Sequence, residues 1–144
     1  MVNLDGISPQ RRKELYGTKP ISQIGQPLEG AEQQALFQWS VWMSHQYPEL
    51  ELLYHTPNEG KRSKSQGAKL VREGLKKGVP DIHLPVPSGR FVSLYIEMKR
   101  KGQAPTKDQL DWIEKLQLHG NAARVCYSCD EAIDVIMKYL KGEL

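Results

Sequence analysis

The stretch DIHLPVPSGRFVSLYIEMK, residues 81–99, restricts the fold more than any other part of the chain. Two runs rich in β-branched and aromatic residues flank the turn signal PSG, which predicts an antiparallel hairpin with strands DIHLPV and RFVSLYIEMK. Side chains alternate faces along a strand. Ile82 and Leu84 therefore share one face, with Asp81 and His83 on the other. In the second run Val92, Leu94, Ile96 and Met98 point one way, and Ser93, Tyr95, Glu97 and Lys99 the opposite way. Pairing the strands brings Asp81, Glu97 and Lys99 to one side of a sheet whose other side is apolar. Charges are costly to desolvate unless paired or bound to metal.

The rest of the chain supplies layers to cover that hairpin. From Pro27 onward Glu32, Ala35, Leu36, Trp39 and Met43 recur at helical spacing, and the helix is expected to end near Tyr47-Pro48. ELELLYHT reads as a strand closed by PNEG. SKSQGAKLVREGLKKG reads as a short basic helix, interrupted at Gly67 and Gly74 and stopped by Gly78. After the hairpin, Thr106 and Gln109 form a T-x-x-Q capping box, with Leu110, Ile113 and Leu116 expected to face inward and Gly120 to end the helix. AARVCYS is a further strand. Ser128-x-x-Glu131 opens a last helix carrying Ile133, Ile136, Met137 and Leu140. The order α-β-α-β-β-α-β-α predicts an α/β fold, a mixed sheet flanked by helices. Residues 1–28, with scattered Gly and Pro, are expected to be an arm preceding a domain over 29–144.

Composition narrows the class. A chain of 144 residues, 39% hydrophobic and 26% charged, suits one globular core. No apolar run approaches the about 20 residues that cross a bilayer, and the N-terminus lacks the apolar core of a signal peptide. A cytoplasmic protein is expected. Cys126 and Cys129 make a CxxC with no second pair to complete a zinc site, and Cys126 reads as a strand residue. His45, His55 and His119 share no spacing suited to zinc. The net charge of +3 is mild, but its distribution is uneven. Lys61, Arg62, Lys64, Lys69, Arg72, Lys76 and Lys77 are opposed within their segment only by Glu73. Such a density can follow a phosphate backbone, and it also describes a solvated helix face.

Two carboxylates held together repel and raise one pKa unless a cation lies between them. Oxygen donors suit Mg²⁺ or Mn²⁺. A lysine fixed beside such an ion can orient a water and stabilise charge on a phosphoryl oxygen. Asp81, Glu97 and Lys99 thus have the makings of a phosphodiester-hydrolysing site. Glu32, on the apolar stripe of the first helix, is a candidate further ligand. The competing reading is structural: hairpins often end in solvated charges, and E-x-K pairs are common. His83 shares the face of Asp81, where a satisfied strand histidine is the ordinary reading. Asn58 and Glu59 fall at a strand end close to the expected site, where turn chemistry explains them nearly as well. Trp39 and Trp42 suit a core or a subunit contact, with stacking on DNA as the lesser alternative.

Pro80-Asp81, fifteen residues, then Glu97-Met98-Lys99 resembles the PD-(D/E)xK pattern of restriction-endonuclease-like nucleases. The fuller wording resembles the virus-type replication-repair nuclease (VRR-NUC) domain. Its marks are Glu32, "HTPNEGKR", "GVPDIHL", "YIEMKRKGQAPTKDQ" and "LHGNAARVCYS", and it spans roughly residues 30–140. The resemblance implies a restriction-endonuclease-like core in which Glu32, Asp81 and Glu97 bind metal, with the Met98 carbonyl as a further contact and Lys99 acting in catalysis. Gln109 matches the family's glutamine on the helix after the lysine strand, beside its alternative role as a cap. Small stand-alone members resemble phage and prophage enzymes that act as homodimers on branched DNA, four-way junctions above all. A two-fold dimer presents two sites to a two-fold substrate. The resemblance therefore implies an Mg²⁺- or Mn²⁺-dependent junction resolvase in a bacterial cytoplasm. The alternatives are a nuclease for flaps, nicks or duplex, and a DNA-binding module without catalysis.

The basic segment gives a test of its own. Replacing Lys61, Arg62 and Lys64 together by alanine should flatten the dependence of DNA affinity on salt concentration, measured by titration across a salt series. An unchanged slope would remove the segment from the interface.

Overall fold

Alternation in the two hairpin runs is realised as antiparallel pairing, and the remaining elements assemble on either side of it. The computed structural model describes residues 29–57 and 63–144. The expected arm at 1–28, the turn residues Asn58 and Glu59, and the basic residues Lys61 and Arg62 lie outside the described residues. In chain order the elements are α1 (Glu29–Met43), a 3-10 helix (Pro48–Leu52), β1 (Tyr54–His55), α2 (Lys64–Arg72), β2 (Ile82–Leu84), β3 (Leu94–Met98), α3 (Lys107–Leu118), β4 (Ala122–Cys126) and α4 (Cys129–Leu140). The fold is α/β, with the expected order of elements.

The four strands form one mixed sheet in the order β1-β2-β3-β4. β2 runs antiparallel to β3 with Ile82 opposite Ile96 and Leu84 opposite Leu94. β4 then adds parallel to β3, reached through α3, with Glu97 beside Val125 and Met98 beside Cys126. Ile82, Leu84, Leu94, Ile96 and Met98 join Leu36, Trp39, Ile133 and Ile136 in one buried cluster. Helices α1 and α4 thus cover the apolar face, and they also pack against each other. Helix α3 lies across β4, but none of its residues is fully buried. That helix rests lightly on a face whose inward groups are polar.

Local signals explain the boundaries. Ser63, Thr106 and Ser128 each accept a hydrogen bond from the backbone N–H three residues on, capping α2, α3 and α4. Both α2 and α3 complete a capping box, with Gln66 and Gln109 returning the bond. At the far end of the hairpin, Tyr139 Oη donates to the Val86 carbonyl at 2.6 Å, which ties the β2–β3 loop to the end of α4.

Three expectations need correction. ELELLYHT is not a full strand: Pro48–Leu52 winds as a 3-10 helix, and only Tyr54–His55 pairs with β2. A strand would have put Leu50 and Leu52 on one face. Instead the i, i+3 pair Leu50 and Leu53 is buried, while Leu52 is 53% exposed. Proline at the start of the turn supplies a suitable φ. Second, α2 runs through Gly67 and stops at Arg72, because Gly74 adopts φ +102°. Lys76 and Lys77 therefore lie beyond the helix. Third, β2 and β3 are shorter than the apolar runs. Pro85 and Pro87 lack the N–H that would extend β2, and Val92 lies outside β3, exposed.

Candidate active site

Extending the β2–β3 register by one residue sets Asp81 opposite Glu97. The Asp81 carboxylate leans across to β3, where its Oδ2 accepts the Met98 N–H at 2.8 Å. Its own carbonyl accepts the Thr56 N–H at 2.7 Å, so β1 braces the same point from the other side. Asp81 is buried in consequence, and Pro80 beside it is buried as well.

Glu97 is 0% exposed, ranking among the largest fully buried side chains of the protein. Two donors meet one of its oxygens. Lys99 Nζ lies 2.9 Å from Glu97 Oε1, and Gln109 Nε2 donates to the same atom at 2.5 Å. Lys99 is itself only slightly exposed. A lone carboxylate at this depth would be costly, and a cation with a neutral donor offsets the loss of water. Asp81, Glu97 and Lys99 therefore converge as the alternation requires.

Gln109 has two partners. Its Oε1 accepts the Thr106 N–H at 2.8 Å, completing the capping box, while its Nε2 reaches Glu97. One amide fastens the start of α3 to the end of β3. Helical spacing accounts for the rest of that helix: Gln109, Ile113 and Leu116 turn toward the sheet, half-buried, and Leu110 is 51% exposed. The expectation that Leu110 faces inward is thus corrected, because the polar Gln109 takes the inward place.

A glycine lets α3 come so close. Gly78 holds φ +84°, and a Cβ there would lie 2.5 Å from the carbonyl carbon of Asp108 in the first turn of α3. Only the bare backbone fits. The GVPD wording therefore combines a contact residue with the site carboxylate three positions on.

Glu32 reaches the same end of the sheet by another route. Its Oε2 accepts the Cys129 N–H at 2.6 Å, at the first turn of α4, where the positive end of the helix dipole favours an anion. β3 and β4 are continued there by the bond from Lys99 N–H to the Cys126 carbonyl at 2.9 Å. Among the described residues no three His, Cys, Asp or Glu side chains gather as a metal-binding group.

The donor set fits a hard divalent ion nonetheless. Mg²⁺ is usually bound through one or two carboxylates and keeps several waters. Asp81, Glu97 and the Met98 carbonyl offer oxygen donors of that kind, the last two at the C-terminal end of β3 and Asp81 just before the antiparallel β2 beside it.

The neighbouring groups are less reactive. His83 Nδ1 lies 2.7 Å from Tyr54 Oη, and the ring stacks on Tyr95 at 4.0 Å. Burial lowers its pKa and keeps the imidazole neutral. Cys126 is buried at the end of β4, and burial, with Glu131 nearby, pushes its thiol up to about 12. A thiolate there is scarce at neutral pH. Of the basic residues, Lys64, Lys69 and Arg72 lie on α2, which buries none of its residues, with Lys76 and Lys77 just after it. All five are exposed, and Lys69 forms an i, i+4 pair with Glu73 at 3.7 Å. Sequence reasoning missed Gly78 as a packing residue and Cys129 N–H as the partner of Glu32.

The chain is similar to known proteins of one family. The family model for the VRR-NUC domain matches residues 28–130. A solved structure described as a VRR_NUC domain protein is 30% identical, with a TM-score of 0.67, over 78% of this chain and 88% of that one. No curated protein matches the chain.

The double use of Gln109 can be tested by Gln109→Glu, which keeps a capping-box residue but sets a carboxylate against Glu97. The variant should unfold about 1–3 kcal/mol more easily than wild type at pH 8. The introduced acid has a raised folded-state pKa, so the folded state gains protons first and the deficit should narrow as pH falls to 5. Urea denaturation at both pH values measures it. A pH-independent deficit would mean that residue 109 does not touch Glu97.

Proposed function

Because this chain belongs to the VRR-NUC family, nucleases of the restriction-endonuclease-like fold that act on DNA, we propose that it is a metal-dependent, structure-specific endodeoxyribonuclease of branched DNA. The observation that carries this reading is the convergence of Asp81, Glu97 and Lys99 at one end of β2 and β3, with Glu97 fully buried between Lys99 and Gln109.

Asp81, Glu97 and the Met98 carbonyl would hold the ion, Mg²⁺ or Mn²⁺. When bound, such an ion supplies Lewis-acid stabilisation of the phosphoryl oxygens and a more acidic water. The protein's own groups do the rest. Lys99 Nζ, fixed by Glu97, presents an ammonium that orients a water and stabilises negative charge on the scissile phosphate. Gln109 holds the Glu97 carboxylate in one orientation, so that a lone pair stays aimed at the ion's position. Met98 N–H does the same for Asp81. Glu32, seated at the first turn of α4, lines the approach to the same strand ends and is the candidate third carboxylate.

Lys61, Arg62, Lys64, Lys69, Arg72, Lys76 and Lys77 would track the phosphate backbone. Contacts of that type read shape and charge rather than base edges, which suits a substrate defined by geometry. The preferred substrate in this reading is the four-way junction, cut by a homodimer whose two sites match the two-fold symmetry of the junction. Among the described residues no helix is long and apolar enough to cross a membrane. A bacterial cytoplasm, as a phage or prophage enzyme, is the proposed setting.

Cleavage of an end-labelled synthetic four-way junction, beside flap and linear duplex controls, tests the reading. Each would be incubated with Mg²⁺, Mn²⁺ or EDTA. Wild type should make paired, metal-dependent cuts at the junction, and both Lys99→Ala and Asp81→Asn should lose about 10²–10³-fold in rate. Cuts confined to flaps or duplex would remove the junction assignment and keep the nuclease. Metal-independent cutting, or full activity of both variants, would contradict the site.

A further inference from the structure

Away from the carboxylates the described residues form another pocket, of about 390 Å³, lined by Lys76, Trp112, Lys115, Leu116 and His119. Trp112, Lys115 and Leu116 follow the i, i+3, i+4 spacing of one stripe of α3, and His119, its C-cap, continues that spacing at i+7. Lys76 reaches them from the segment joining α2 to β2. That segment is held against α3 by Gly78, whose backbone packs on Asp108.

The volume lies near the small end of the about 300–1,000 Å³ typical of small-ligand sites. It suits one nucleotide-sized group. One wall is apolar, from the Trp112 indole and Leu116, both half-buried. The other groups are donors: two ammoniums and an imidazole. Acids are close by, with Asp108 one turn before Trp112 and Asp111 one turn before Lys115. Yet neither lysine forms a salt bridge with a described residue. An aromatic face beside uncommitted cations suits a ligand with a flat base at one end and a phosphate at the other.

The pocket also has a fixed relation to the carboxylate site. Gln109, which touches Glu97, precedes Trp112 and Lys115 on the same helix. At about 1.5 Å per residue they follow it along the axis by about 4.5 and 9 Å. A strand that passes from Asp81 and Glu97 along α3 would meet the pocket.

We infer that this pocket binds an unpaired nucleotide of the DNA strand next to the scissile phosphate, with its base on Trp112 and its phosphate on Lys76, Lys115 and His119. The inference rests on the nuclease reading and deepens it. Continuous duplex keeps its bases stacked and has none to offer. A flap or a single-stranded tail does, and at a fully paired four-way junction a nucleotide has to unpair at the branch point first. The pocket thereby supplies a physical means of distinguishing DNA with unpaired nucleotides from continuous duplex.

The test is fluorescence anisotropy in EDTA, where no cutting occurs. It compares a labelled blunt duplex with the same duplex carrying a short single-stranded oligothymidine tail. Wild type should bind the tailed form about tenfold more tightly, in line with stacking of one base on an aromatic ring. Trp112→Ala should erase that ratio while leaving affinity for the blunt duplex unchanged. Trp112→Phe, which keeps a stacking face, should retain most of it, and Lys115→Ala should reduce it. Equal wild-type affinity for the two forms would overturn the inference. So would a Trp112→Ala effect of equal size on both, which would mark an ordinary duplex contact. Binding is read without metal, so the two proposals fail separately. Loss of the tail preference removes the pocket and leaves the nuclease. Absence of metal-dependent cutting removes the nuclease and leaves the preference.

Discussion

A carboxylate buried at the end of a central strand governs the rest of this molecule. Glu97 has no exposed surface, and its charge is tolerable there only with donors brought to it. Lys99 arrives by strand alternation, two residues on. Gln109 arrives only if α3 begins directly above the end of β3. That placement requires the 76–78 segment to pass against the first turn of α3, and Gly78 makes the close approach possible. Capping, helix position and loop path are thus consequences of accommodating one charge.

Such an arrangement is a poor way to gain stability. A buried ion pair is often matched or bettered by apolar groups of similar volume. The same strand shows the alternative at Ile96 and Met98, which fill the apolar side of the sheet. Placing charge on the other side, under a helix that buries no residue fully, suits the proposed role of the carboxylates in holding an ion against a phosphate. The fold divides its sheet accordingly: α1 and α4 seal one face, and α3 leaves part of the other for polar chemistry. The pocket proposed to hold a nucleotide lies on the flank of the same helix.

Much of this was legible in the residues. Alternation in residues 81–99 set both faces of the hairpin and the convergence of Asp81, Glu97 and Lys99. Ser128 and Thr106 marked helix starts through a local, strong hydrogen bond. What failed was decided by longer-range packing. ELELLYHT has strand composition, but the core accepts Leu50 and Leu53 rather than Leu50 and Leu52. Leu110 is apolar, yet the inward place it competes for is held by Gln109 through Glu97. The amide of Gln109 has two ends, and a capping motif reveals the use of only one. Glu32 was read as inward-facing, and it is engaged, but its partner Cys129 lies 97 residues away and no local pattern announces it. The stripe Trp112, Lys115, Leu116 and His119 forms no part of that reading, because it becomes a pocket only with Lys76 arriving from another segment.

The central claim is that Asp81 and Glu97, with the Met98 carbonyl, form a seat for a divalent cation. Thermal unfolding of the metal-free protein across a Mn²⁺ series tests it without reference to any DNA substrate. An ion bound only by the folded state stabilises it by about 2.7 kcal/mol at a hundredfold excess over its dissociation constant. The midpoint should therefore rise with Mn²⁺, return to its starting value with EDTA, and stay flat in Asp81→Asn. A wild-type midpoint indifferent to Mn²⁺, or an undiminished rise in Asp81→Asn, would contradict the account.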